Sequence, residues 1–109
     1  MVAALPNLHD AILHTVVIDW ETAVARCNLN VWFGSPLADP SAEMLPITVT
    51  LTGLKGATIP RGEPWGPSIY VNSGELRKDE GAVEFWLEMQ SGDEIVVRAA
   101  AAEVTPSSR

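Results

Sequence analysis

His9 and Asp10 are adjacent, and His14 lies four residues beyond Asp10. An imidazole beside a carboxylate is the start of a metal site of the kind that helical phosphohydrolases complete with further His and Asp ligands, and positions 10 and 14 share a face on a helix and on a strand alike. A zinc site takes three or four ligands. The chain has two histidines and one cysteine, so Cys27 would have to complete the set. A capped chain entry carrying an ordinary surface histidine needs no further ligands, and it is the reading we prefer. His9 and Asp10 stay as weaker candidates for a small-ligand or hydrolytic site, with Arg61 as the cation that would serve it.

Nucleophilic chemistry finds less support. Cys27 alternates with Leu29, Val31 and Phe33, which turns its thiol toward the core, where burial makes it inert. Glu84 and Glu88 could act as an acid/base pair, but on a strand they share an outer face and read as solvent contacts. No Gly-x-Ser-x-Gly elbow, phosphate loop or dinucleotide fingerprint occurs, and Gly53-Leu54-Lys55-Gly56 lacks the spacing of either phosphate motif. We read the chain as a non-enzyme with no metal and no cofactor.

The binding candidates are aromatic. Pro60-Arg61-Gly62-Glu63-Pro64-Trp65-Gly66-Pro67-Ser68 combines three prolines, two glycines and a tryptophan. It can be neither a helix interior nor a central strand, and it reads as a rigid loop anchored by Trp65. Trp32 and Trp86 interrupt faces that otherwise carry Asn28, Asn30, Glu84 and Glu88, and a large apolar group on a polar face calls for an explanation. One explanation is a second small core, with the proline-rich loop folded over the indoles. The other is a surface on which Arg61, Trp65, Trp32 and Trp86, rimmed by Glu84 and Glu88, bind a partner.

The elements that would carry these residues are strands. Ile47-Thr48-Val49-Thr50-Leu51-Thr52 alternates fully, and Val83, Phe85, Leu87 and Met89 face one way between Glu84, Trp86 and Glu88. Ile95, Val97, Ala99 and Ala101 continue an inward series, with Ser91-Gly92-Asp93 as the turn between the two. Ala11–Trp20 is rich in β-branched residues, Ala25–Phe33 alternates, and Asp19-Trp20-Glu21-Thr22 joins them. Ile69–Leu76 resembles a further strand that turns at Lys78-Asp79-Glu80-Gly81. Pro36–Pro46 reads as a loop, and Asn7 could cap a short helix over Leu8–Leu13. The expectation is an all-β domain spanning 1–109, with six or seven mostly antiparallel strands in sequential hairpins, as a small sandwich or partly closed barrel.

Fourteen acidic against seven basic residues give a net charge of −7 over 109 residues. That balance argues against nucleic acid and anionic membrane surfaces and suits a basic protein partner. An edge strand of such a sheet also offers a route to homo-oligomers. No apolar run is long enough to cross a bilayer as a helix and the start lacks an export signal, so a cytoplasmic location is expected, consistent with the single cysteine.

Taken together, Leu8-His9-Asp10-Ala11, Asp19-Trp20, the Pro60–Ser68 segment and Glu88-Met89-Gln90-Ser91-Gly92-Asp93 resemble a group of small uncharacterised bacterial β-domain proteins, over most of the chain. That group brings no site residues with it. In size, charge and strand content the chain is also distantly similar to bacterial immunity proteins, which neutralise toxins. The similarity implies a non-catalytic inhibitor, with a small-molecule-binding β domain as the alternative from another class.

Overall fold

Alternation of aliphatic and polar residues builds six strands in the computed structural model, which describes residues 5–33, 43–59 and 70–106, the side chains of Phe33 and Asp79 apart. They are β1 (Ile12–Asp19), β2 (Val24–Phe33), β3 (Glu43–Thr58), β4 (Val71–Asp79), β5 (Ala82–Met89) and β6 (Glu94–Pro106). All neighbours are antiparallel and form one sheet in the order β1-β2-β3-β6-β5-β4. The fold is all-β, as the alternation requires. Two meanders, β1-β2-β3 and β4-β5-β6, are joined through β3 and β6, so hairpins connect consecutive strands everywhere except between β3 and β4. Side-chain period fixes which face a strand buries and not which strand lies beside it, which is why β6 could take the place expected of β4.

β3 and β6 are the longest strands and serve both meanders. β2 pairs with β3 from Glu43 to Thr52, whereas β5 pairs with β6 from Glu94 to Ala99. Between those stretches both strands break alternation at the same level: Thr52 and Gly53 are both exposed on β3, and Ala100 and Ala101 on β6. Gly53 has φ +66°, and a Cβ there would lie 2.8 Å from the Ala100 Cβ, so the bend needs a residue without a side chain. Bends of this kind let long strands turn a corner from one packed layer into the next. The inward series consequently resumes at Ala102 and Val104 rather than at Ala101.

One buried cluster draws on both halves: Ala25, Cys27, Leu29, Val31, Val49 and Leu51 from β2 and β3, and Phe85, Leu87, Met89, Ile95 and Val97 from β5 and β6. The outer faces are polar, as in the ladder in which Asn28 donates to Thr15 Oγ1 (2.7 Å) and Thr48 donates to Asn28 Oδ1 (2.9 Å). Expected inward residue Phe33 lies outside the described side chains, as does the Pro60–Ser68 loop with its Arg61 and Trp65 outside the described residues.

Two local expectations change. Residues 43–46, the end of the proline-containing Pro36–Pro46 stretch expected as loop, are strand, with Pro46 opposite Asn30. Among the described residues the β6 ladder begins at Ile47 opposite Pro106, which leaves Pro46 beyond the stretch of β3 paired on both sides, where a missing N–H is tolerated. The proposed helix at Leu8–Leu13 is a turn, closed by the Ala11 N–H donating to the Leu8 carbonyl (3.0 Å), followed directly by β1. The β-branched residues Ile12, Val16, Val17 and Ile18 favour the strand. The described residues contain no helix.

The turn at Leu8–Asp10 ties the sheet's two edges together. Ile12 bridges Tyr70, the Asp10 N–H donates to the Val71 carbonyl (2.9 Å) and the Val71 N–H to the Ala11 carbonyl (2.8 Å). Among the described residues the ladder goes no further, and the sheet is not closed into a barrel. Leu8, 1% exposed, is inserted beneath this junction against Gly74 and Leu87.

Candidate functional site

Trp86 sits at the centre of β5, on the outer face between Glu75 of β4 and Val96 of β6. The Arg77 guanidinium lies over its ring, with Cζ 4.6 Å from the centroid, and the indole N–H donates to Glu94 Oε1 at 2.9 Å. Arg77 also pairs with Glu75 (Nη2 to Oε1, 2.6 Å) and with Glu84 (Nη1 to Oε1, 3.5 Å). Trp86 and Glu84, both half-buried, thus join the exposed Glu75, Arg77 and Glu94 in a cross-strand network, each bond of which is worth on the order of 1 kcal/mol or less. The acidic rim expected around this indole is partly neutralised by Arg77, a residue that sequence reading did not single out.

Glu88 belongs elsewhere. It accepts from Asn72 Nδ2 at 2.6 Å, the Asn72 carbonyl accepts from His9 Nδ1 at 2.9 Å, and Asp10 Oδ1 accepts from Gln90 Nε2 at 2.7 Å. His9 Nε2 lies 3.5 Å from Asp10 Oδ2. A carbonyl only accepts, so in this bond the Nδ1 of His9 is the donor. With one ring nitrogen held by the backbone and the other facing a carboxylate, neither is left free to activate a nucleophile as a hydrolytic His–Asp couple would require. What this cluster does is fasten the N-terminal segment to β4 and β5. Asp10 itself has φ +62°, a conformation that aspartate tolerates better than most residues.

His14 bulges out of β1 between Leu13 and Thr15 and is exposed, away from this cluster. Cys27 is buried on β2, and burial pushes its thiol up to about 12. Among the described residues no three His, Cys, Asp or Glu side chains gather where they could hold a metal.

Trp32 is half-buried near the end of β2 and pairs across to Met44, at the start of β3. Trp86 reaches β3 only through Val96, which is opposite Thr58 at its other end. The two indoles therefore stand on different halves of the sheet rather than side by side.

The most exposed aromatic side chain among the described residues is a different one, Trp20, at 87%. It opens the β1–β2 turn. The turn is shaped by Asp19, whose Oδ1 accepts the N–H groups of Glu21 and Thr22, both at 3.1 Å, while Ala23 takes φ +56°. These bonds, the Thr22 N–H first, hold the Asp19 carboxyl below its ordinary range, so it stays ionised. The hairpin ends beside β3, where the Leu54 N–H donates to the Ala23 carbonyl at 2.9 Å. Beyond that bond β3 runs on past the hairpin tip.

Between the tip and this overhang lies a groove of about 400 Å³. Ile18, Asp19 and Trp20 form one wall, and Leu54, Lys55 and Ile59 contribute to the other. Its lining is mainly apolar, with one carboxylate and one ammonium group. Ile59 is 42% exposed, and Leu54 is half-buried. An exposed indole beside exposed aliphatics is the composition of an interface anchor. A sequence signal existed for it: Trp20 is a tryptophan in a polar turn, where burial gives no reason for an indole.

Compared with protein-family models, curated proteins and solved structures, the chain gives no match.

Proposed function

We propose that this protein is a non-catalytic interaction domain that binds a basic protein partner, and that an immunity-type inhibitor of a bacterial toxin, working in the cytoplasm, is its most concrete form. The observation that carries the reading is the exposure of Trp20 at the mouth of an apolar groove, on a chain of net charge −7. Indoles are the side chains most enriched among interface anchors, and the negative field steers a basic partner toward them. Trp86, with Arg77 over its ring, supplies a second, more polar surface.

The test is affinity capture on the immobilised protein from host lysate, repeated with Trp20→Ala and with Glu84 and Glu88 changed to glutamine. A basic protein retained in stoichiometric amount, lost with Trp20→Ala and released as salt rises, supports the reading. Retention indifferent to Trp20→Ala would move the site to the Trp86 face. No protein retained under any condition would refute the interaction role. The groove volume also falls at the lower end of small-ligand sites, which runs from about 300 to 1,000 Å³, so a small-molecule-binding domain is the second reading, and a metabolite co-purifying with wild type and absent from Trp20→Ala would favour it.

A further inference from the structure

One side of the groove is the overhanging end of β3, from Leu54 through Ala57. β3 pairs with β6 through Gly56, Ala57 and Thr58, opposite Arg98, Val97 and Val96. On its other side β2 pairs with β3 no further than Val24 opposite Thr52, followed by the single Leu54-to-Ala23 bond. From Lys55 to Thr58 that second edge has no strand beside it among the described residues, and every residue from Lys55 to Ile59 is exposed. In an antiparallel strand paired on one side, about half of the N–H and C=O groups point the other way. Here that edge belongs to residues that line the groove with Trp20.

Resting on the interaction reading above, we propose that the partner enters this groove as an extended segment that adds a strand to the free edge of β3 at Lys55–Thr58, with an apolar side chain against Trp20 and Ile59 and a basic one toward Asp19. The edge would supply main-chain hydrogen bonds, and the indole and aliphatics would supply pockets for alternate side chains, the division of labour seen wherever a peptide extends a sheet. Four residues of β3 span ~13 Å at ~3.3 Å per residue, enough for a short strand.

Charge chooses the occupant. A second copy of the chain would bring another net −7, along with Asp19 and Glu21 of its own hairpin turn, to the same edge. A basic segment brings the opposite sign, complementing both the overall field and the ionised Asp19. Lys55, on the opposite wall, then sets a limit on how many cations the segment can carry along its β3-facing length.

The probe is a blocked eight-residue peptide alternating valine and lysine, titrated into the intact protein and followed by tryptophan fluorescence and backbone amide shifts. Binding should perturb the amides of Lys55–Thr58 and change the emission of Trp20. Because Trp20 is exposed, Trp20→Ala should fold normally and weaken the peptide about tenfold or more, and N-methylation of alternate peptide residues, on the edge facing β3, should do the same, since each tenfold step corresponds to the loss of one or two modest contacts. A peptide with glutamate in place of lysine should not bind. Equal affinity for the N-methylated and unmodified peptides would overturn strand addition while leaving a Trp20 interface standing. No shift at Lys55–Thr58 with saturating peptide would overturn the site. A stable dimer by sedimentation, broken by Trp20→Ala, would give the edge to a second copy and overturn the basic-segment assignment.

Discussion

Replacing Gly74 with alanine should destabilise the protein by about 1–2 kcal/mol, and removing Leu8 at the same time should relieve the part of that penalty that Leu8 causes. A Cβ on Gly74 would lie 2.6 Å from Leu8 Cδ1, 2.7 Å from Leu87 Cδ2 and 3.2 Å from the Trp86 carbonyl oxygen. The two methyls sit well inside carbon–carbon contact distance, and both leucines are fully buried, so they give way only by displacing other core atoms. Overpacking of this kind costs ~1–3 kcal/mol, against which alanine recovers up to about 1 kcal/mol of the backbone entropy that glycine loses in a strand. The net corresponds to a fall in Tm of roughly 5–15 °C for a domain of this size. Leu8→Ala alone should cost ~2–5 kcal/mol through the cavity it leaves. In the double variant the new methyl moves into that cavity, so the cycle should show a favourable coupling of ~1 kcal/mol or more, which chemical denaturation with matched m-values can resolve. Strictly additive effects would mean that Leu8 does not pack on Gly74, and the account of how the N-terminal segment seals the sheet would fail.

Leu87→Ala, deleting a fully buried side chain at the centre of the core, should cost ~2–5 kcal/mol in urea unfolding; a change under 1 kcal/mol would contradict the core assignment. Cys27 should resist alkylation in the native state and react freely once unfolded. Its folded pKa, raised to about 12 from the ordinary 9.0, makes the neutral thiol a source of stability that is fully present below pH 9 and lost as pH rises toward 12. Relative to Cys27→Ala, wild-type stability should therefore decline over that window at up to ~1.4 kcal/mol per pH unit, and a parallel pH profile for the two proteins would show the thiol to be solvated. Arg77→Met, which keeps the aliphatic stem over Trp86 but removes the charge, should cost no more than ~1 kcal/mol, because its ion pairs with Glu75 and Glu84 are exposed; a larger loss in thermal unfolding would make the network structural in its own right.

What could be read from the residues, and what could not, divides along a physical line. Alternation is a property of consecutive residues, so the inward set from Ala25 to Val31, from Ile47 to Leu51 and from Phe85 to Met89 was legible, and with it the burial of Cys27. Strand order is a property of distant pairs. Nothing local to Glu94–Pro106 says that it will lie between β3 and β5, and the double switch of face at Gly53 and Ala100 emerges only when both strands are seen to bend together. The same division governs the site. Trp32 and Trp86 each stand out on a polar face, but an indole's neighbours are set by register, and the register places them on different halves of the sheet. Trp86 is answered by Arg77 and Glu94 across neighbouring strands and is half-buried. Trp20 has no such answer among the described residues. It lies in a four-residue turn fixed by the carboxylate of Asp19, with too few residues on either side to cover a ring of that size, so the turn that closes the hairpin also holds the indole out over the free end of β3. The local chemistry of the turn thereby determines the feature on which recognition would act.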